Sequence, residues 1–99
     1  MIRAARVDAN QREIVSKLRN AGCSVLVTSQ LKNAFDILAG YKGMNFAFEI
    51  KDGNKPPSAR KLTSGEQEFF NKWNGQVDVI ESFEDAVSII EKKCREKFG

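Results

Sequence analysis

An apolar run, Phe46-Ala47-Phe48, ends in Glu49-Ile50-Lys51, and this stretch constrains the chain more than any other. A strand alternates its faces with period two, so Glu49 and Lys51 point to one side while Phe48 and Ile50 point to the other. Asp36 lies thirteen residues before Glu49, on the preceding strand by the same reading. A carboxylate and an ammonium at one strand end, joined by a second carboxylate, form a constellation that can hold a hard divalent cation. Beside that cation stands a positive group able to position a water. This is the minimum equipment for metal-assisted phosphodiester hydrolysis. The competing meaning of the trio is an ordinary salt bridge, Glu49–Lys51 or Asp36–Lys51.

Ninety-nine residues are expected to make one domain, 1–99, since cores of this size rarely split. A hydrophobic content of 41%, with seven Phe and one Trp, suffices for a small core. A homodimer would help stability at this size, although no residue pattern demands one. No apolar stretch approaches the ~20 residues that span a bilayer, and Met1 to Val7 lack the apolar segment of a signal peptide. No membrane association is expected. Cys23 and Cys94 stand far apart, there is no CxxC, and the chain has no histidine. Zinc sites and histidine acid–base chemistry are thereby excluded, and reduced thiols in a cytoplasmic setting are expected. A metal must take oxygen ligands, which points to Mg²⁺ or Mn²⁺, and no organic cofactor is expected.

The net charge of +3 is mild, and its distribution says more. Lys51, Lys55, Arg60 and Lys61 crowd the stretch directly after the Glu-x-Lys pair, whereas Glu81, Glu84, Asp85 and Glu91 collect near the C-terminus. A solvated loop is the bland meaning of the basic cluster. Adjacency to the candidate metal site makes phosphate contact the functional one.

Asp8 to Gln11 fits a helix start, with Asp8 as cap and Gln11 three residues on as in a capping box. Ile14, Val15 and Leu18 form an apolar stripe at helical spacing, and Gly22 supplies the stop. Val25 to Val27, Phe35 to Ala39 and Met44 to Lys51 read as three strands, the last two joined through Gly40-Tyr41-Lys42-Gly43 as a hairpin. Asp52-Gly53-Asn54 and Pro56-Pro57 begin a loop. Thr63 to Glu66 reads as a second capped helix start leading into Phe69, Phe70 and Trp73, and Gly75 ends it. Val77 to Ile80 is a fourth strand, and Ser82 opens a last helix with Phe83, Ala86, Val87, Ile90 and Cys94 at helical spacing. The order αβββαβα predicts an α/β three-layer sandwich with a mixed central sheet.

With that order, the chain resembles the PD-(D/E)XK nucleases, most closely the minimal VRR-NUC domains, many of them phage-encoded, and more distantly the archaeal Holliday-junction resolvases. The carriers are Asp36 to Gly40, Phe48-Glu49-Ile50-Lys51, Ser58 to Thr63 with Gln67 beyond, and Gly75 to Ser82. Phe35-Asp36 stands where the family name has proline and aspartate. The resolvases carry a first-helix glutamate pointing at the active site, and the equivalent position here is Gln11, which shares the inward face of Ile14 and Val15. Two meanings stay open for Gln11: a hydrogen bond to a metal-bound water, or a capping-box bond to the Asp8 amide.

The resemblance implies a restriction-endonuclease-like core and a Mg-dependent endodeoxyribonuclease in a bacterial host cytoplasm. It also implies that Asp36, Glu49 and the Ile50 carbonyl ligate the metal. Lys51 would hold the attacking water and stabilise the transition state, staying protonated between its carboxylates. Ser58 and Gln67 match polar positions of the VRR-NUC pattern. Gln67 would fix the water or contact the substrate, unless it is a plain helix-surface glutamine. Lys55, Arg60 and Lys61 would grip phosphates without reading sequence, with Lys32 and Arg12 as weaker candidates. Phe69, Phe70 and Trp73 read as packing residues or as base-stacking aromatics. The expected substrate is DNA, branched or junction DNA among its forms, cut symmetrically if the protein is a homodimer. The alternative is a DNA-binding or accessory module that keeps the fold with weak catalysis.

Overall fold

The computed structural model describes residues 9–99, so the expected cap at Asp8 lies outside the described residues. Helix α1 (Gln11–Asn20) begins with Asn10 at its N-cap, whose side chain makes no capping bond. At the other end Cys23 N–H reaches the Leu18 carbonyl at 3.0 Å, and Gly22 takes the left-handed conformation (φ 100°) that this closure needs. The glycine stop is where the sequence places it.

Four strands follow from alternation and turn chemistry: β1 (Ser24–Val27), β2 (Ile37–Tyr41), β3 (Met44–Ile50) and β4 (Asp78–Ile80). They lie in the order β1-β2-β3-β4, antiparallel except for the parallel β3–β4 pair, which makes the sheet mixed. The β2–β3 hairpin is tighter than expected. Tyr41 pairs with Met44, leaving only Lys42-Gly43 as the turn, both at positive φ (51° and 78°). That two-residue geometry matches the twist of the flanking strands, so Gly40 and Tyr41 belong to the ladder. β2 correspondingly starts one residue after Asp36, not at Phe35. Asp36 still bonds both neighbours, its N–H donating to the Phe48 carbonyl at 2.9 Å and its carbonyl accepting from Thr28 N–H at 2.7 Å.

A one-turn helix, α2 (Pro57–Arg60), precedes α3 (Ser64–Lys72), and α4 (Phe83–Phe98) closes the chain. Thr63 caps α3 in a full capping box with Glu66, and the Ser82 hydroxyl caps α4 by accepting from Asp85 N–H. The core lies between one sheet face and the α1–α4 pair. Ile37, Ala39, Phe46, Phe48, Ile50 and Ile80 from the sheet meet Ile14, Val15, Leu18, Ala86 and Ile90 from the helices. The strand register puts Leu26, Leu38, Ala47, Glu49 and Val79 on the opposite face. α3 reaches that face through Glu66, while Leu26 and Val79 stay exposed. A full helical layer thus covers one side, and the other is only partly roofed. Among the described residues no helix is long and apolar enough to cross a membrane.

Candidate active site

Period-two alternation delivers Glu49 and Lys51 to one side of β3, as expected. Both are buried, and the Lys51 ammonium stands 3.5 Å from Glu49 Oε2. Asp36 joins from the entry to β2 by a short tether, its Oδ2 accepting from the Ile50 backbone N–H at 2.8 Å. In an extended strand a residue's N–H and C=O face the same neighbour. The Ile50 carbonyl therefore faces the Asp36 side of β3. The sequence-predicted trio is assembled.

A fourth group enters that the sequence reading assigned only to a helix start. Glu66, third residue of α3, accepts from the Lys51 ammonium at 2.9 Å. Asn10 is a second addition. Its amide donates to the Lys51 carbonyl at 3.0 Å and to the Glu81 carbonyl at 2.9 Å, tying together the ends of β3 and β4. Neither partnership has a local signature, because each depends on where a helix docks.

Crowded acids in a dry place resist ionisation. Burial first, then the charges of Asp36 and Glu66, push the Glu49 carboxyl up to about 9, against the smaller opposing pull of Lys51. Asp36 is also raised, chiefly by burial, although the Ile50 N–H favours its charged form. Burial pulls Lys51 downward, but Glu66 and Glu49 outweigh it and leave the ammonium raised and firmly charged. Burial likewise works against Glu66, yet Lys51 and the Thr63 N–H hold its carboxyl below the ordinary value.

One oxygen, Glu49 Oε1, is buried with no hydrogen-bond partner. An orphaned carboxylate oxygen beside a second carboxylate is a donor set suited to a hard cation. No cage of three or more ligating side chains exists among the described residues. Mg²⁺ is commonly bound by one or two carboxylates with waters and substrate phosphates completing the octahedron, so the residues present fit that ion.

The remaining candidates are spread around this centre. Gln11 is buried, and its amide donates to the Ser29 hydroxyl at 3.3 Å. Gln67 is exposed, with its amide on Asn71 Oδ1 at 2.9 Å. The α3 side chain facing the cluster is its neighbour Glu66. Lys55, Ser58 and Lys61 are exposed on the segment after β3, and Lys32 is exposed on the loop before Asp36. Arg60 is half-buried and pairs with Glu81 at 3.5 Å. The loop of residues 28–36 leans on α3: Asn33 packs against Gly65, and the Phe35 ring against Phe69 and Trp73.

No protein-family profile matches the chain, and no curated protein matches it. A solved structure described as a VRR_NUC domain is similar, with a TM-score of 0.54 and 25% identity over 82% of this chain and 89% of that one.

Proposed function

From a fold that is VRR-NUC-like over most of the chain, we propose a divalent-metal-dependent DNA endonuclease with Asp36, Glu49 and Lys51 as its reaction centre. The observation that carries this reading is Glu49: a buried carboxylate with an unpartnered oxygen, flanked by Asp36 and the Lys51 ammonium. The Asp36 carboxyl lies against Glu49 while accepting from the Ile50 N–H, and the Ile50 carbonyl faces the same side, so these two and Glu49 would hold the ion. A bound Mg²⁺ or Mn²⁺ supplies an acidified water and offsets charge on the scissile phosphate. Lys51 stays protonated and donates to the attacking water or to the phosphate oxygens, acting as an electrostatic stabiliser. Gln11 contributes a neutral amide from the first helix. Lys55, Ser58 and Lys61 contact backbone phosphates, as does Lys32 on the facing loop, while Gln67 offers a polar contact further along α3. Such contacts read geometry, not base sequence, and suit branched or junction DNA, with a homodimer presenting two sites.

Incubation with single-stranded, duplex, flap and four-way-junction DNA in Mg²⁺, Mn²⁺ or EDTA tests this reading. Cleavage must depend on metal and vanish in Asp36→Asn. The neutral Gln11, buried against Ser29, favours a second reading: a DNA-binding module of the same fold with weak catalysis. Lys51→Ala separates the two, since an enzyme loses cutting while keeping salt-dependent DNA affinity, and a binder has no cutting to lose.

A further inference from the structure

Phe35, the residue before Asp36, opens an aromatic face that the reaction centre does not use. Its ring lies 6.3 Å from Phe69 and 6.0 Å from Trp73, and Phe69 stacks on Trp73 at 5.3 Å with the planes 21° apart. Trp73 is the only tryptophan in the chain, yet it is 43% exposed. Its indole N–H is already used, donating to the Gln76 carbonyl at 3.1 Å. What the residue shows to solvent is therefore aromatic surface with no polar claim on it. None of the three rings belongs to the main core. The face begins one residue from Asp36 and runs along α3, with Trp73 seven residues beyond Glu66, or about 10 Å at 1.5 Å per residue.

An occupant must offer a flat apolar surface while its backbone lies at the carboxylate cluster. A nucleobase does so only when unpaired, because a base in an intact duplex has both faces buried in its own stack. We infer that Trp73, backed by Phe35 and Phe69, stacks an unpaired base beside the scissile phosphate, directing the enzyme to single-stranded or splayed DNA. This rests on the nuclease reading of Asp36, Glu49 and Lys51. Base–aromatic stacking tolerates any sequence, since every base has a π-face.

Trp73 reports its own occupancy. In the Asp36→Asn protein, which holds DNA uncut, oligothymidylate and a tailed duplex are expected to quench tryptophan emission, and a blunt duplex to leave it unchanged. By anisotropy of labelled oligothymidylate, Trp73→Leu is expected to weaken binding about tenfold, with Trp73→Phe retaining affinity. Equal quenching by the blunt duplex overturns the inference, as does unchanged affinity in Trp73→Leu. Emission that follows protein concentration and not DNA also overturns it, by assigning the face to a second copy of the chain. Metal-dependent cutting by the wild type without quenching removes the stacking face and leaves the reaction centre standing. Quenching by single strands without any cutting supports the stacking and removes the nuclease reading.

Discussion

Glu66 Oε1 accepts from the Lys51 ammonium and from the Thr63 backbone N–H, each at 2.9 Å. One oxygen atom closes the capping box of α3 and anchors Lys51 of the proposed reaction centre. The start of the helix and the position of Lys51 are thus a single structural fact. Glu66→Gln keeps an acceptor for Thr63 but removes a charge facing Lys51, and Glu66→Ala removes both. The alanine variant is expected to lose about 1 kcal/mol for the hydrogen bond from the Thr63 N–H, the Thr63 cap itself remaining. A further loss follows because the buried ammonium keeps only Glu49. Denaturant midpoints should rank wild type above the glutamine variant, and that above alanine. If Gln and Ala coincide, the charge carries the whole effect and the Thr63 N–H bond none.

The raised acids give the metal-free protein an unusual pH profile. Glu49 titrates near its ordinary 4.5 when unfolded and at about 9 when folded, and Asp36 is shifted the same way. The folded state therefore binds more protons than the unfolded state between these values. That contribution is complete below about 4.5 and is lost as pH rises towards 9. Glu66 has the opposite sign, since its lowered folded value stabilises above 4.5 and is lost in acid. The melting temperature in EDTA should fall from pH 5.5 to pH 8.5. Mg²⁺ should raise it more at pH 8.5 than at pH 5.5, because ion binding needs the ionised carboxylates. A flat profile in EDTA would remove the crowded-acid account of the site.

How much of this was legible depends on whether the cause is local. Strand alternation is local, so Glu49 and Lys51 on one side, and Phe48 and Ile50 on the other, follow from residue order alone. Capping chemistry is local too, which is why Thr63 and Ser82 start helices where expected. The hairpin departs from its sequence signal because Gly40 invites a turn, whereas the two-residue Lys42-Gly43 turn satisfies the twist and returns Gly40 and Tyr41 to the ladder. At the candidate site, Gln67 and Glu66 differ by one helical step of about 100°. The phase of α3 against the sheet is set by Phe35, Phe69 and Asn33, and no local pattern announces that docking. Asn10 looks in sequence like a helix-start residue, although its amide works across the sheet and not on the helix.

Gly65 is a place where a single methyl should disturb the site from outside it. A Cβ there would stand 2.6 Å from Asn33 Oδ1 and 2.8 Å from Asn33 Cγ, too close for either to stay. Asn33 belongs to the loop that delivers Phe35 and Asp36, and it sits at positive φ (57°). Gly65→Ala is expected to turn the exposed Asn33 side chain aside, at a cost that alanine's better helix propensity largely offsets, and to reduce cleavage by displacing the loop. Asn33→Gly removes the clashing side chain and suits the left-handed backbone. The double variant should recover most of the lost activity, read as a positive coupling in a double-mutant cycle. Additive losses would show that Gly65 acts through α3 itself.

Asn10 offers the sharpest separation between two roles for one side chain. As a helix N-cap, Asn and Asp are nearly equivalent, and Ala is worse by about 1 kcal/mol. As a clamp, the amide must donate, since both its partners are carbonyl oxygens, those of Lys51 and Glu81. Aspartate cannot donate when ionised, and it would set a negative charge against two carbonyls and close to Glu81. The order expected at pH 7 is therefore Asn above Ala above Asp, the reverse of the cap ranking for the last two. Asn10→Ala should lose about 1–2 kcal/mol, because water can reach part of the vacated carbonyls. Its kcat should fall further than its stability explains, since the Lys51 backbone is held at its carbonyl by this amide and at its N–H by the Ile80 carbonyl. Thermal unfolding and single-turnover cleavage of the two variants decide the matter. An aspartate variant more stable than alanine assigns Asn10 to the start of α1 and detaches it from the proposed reaction centre.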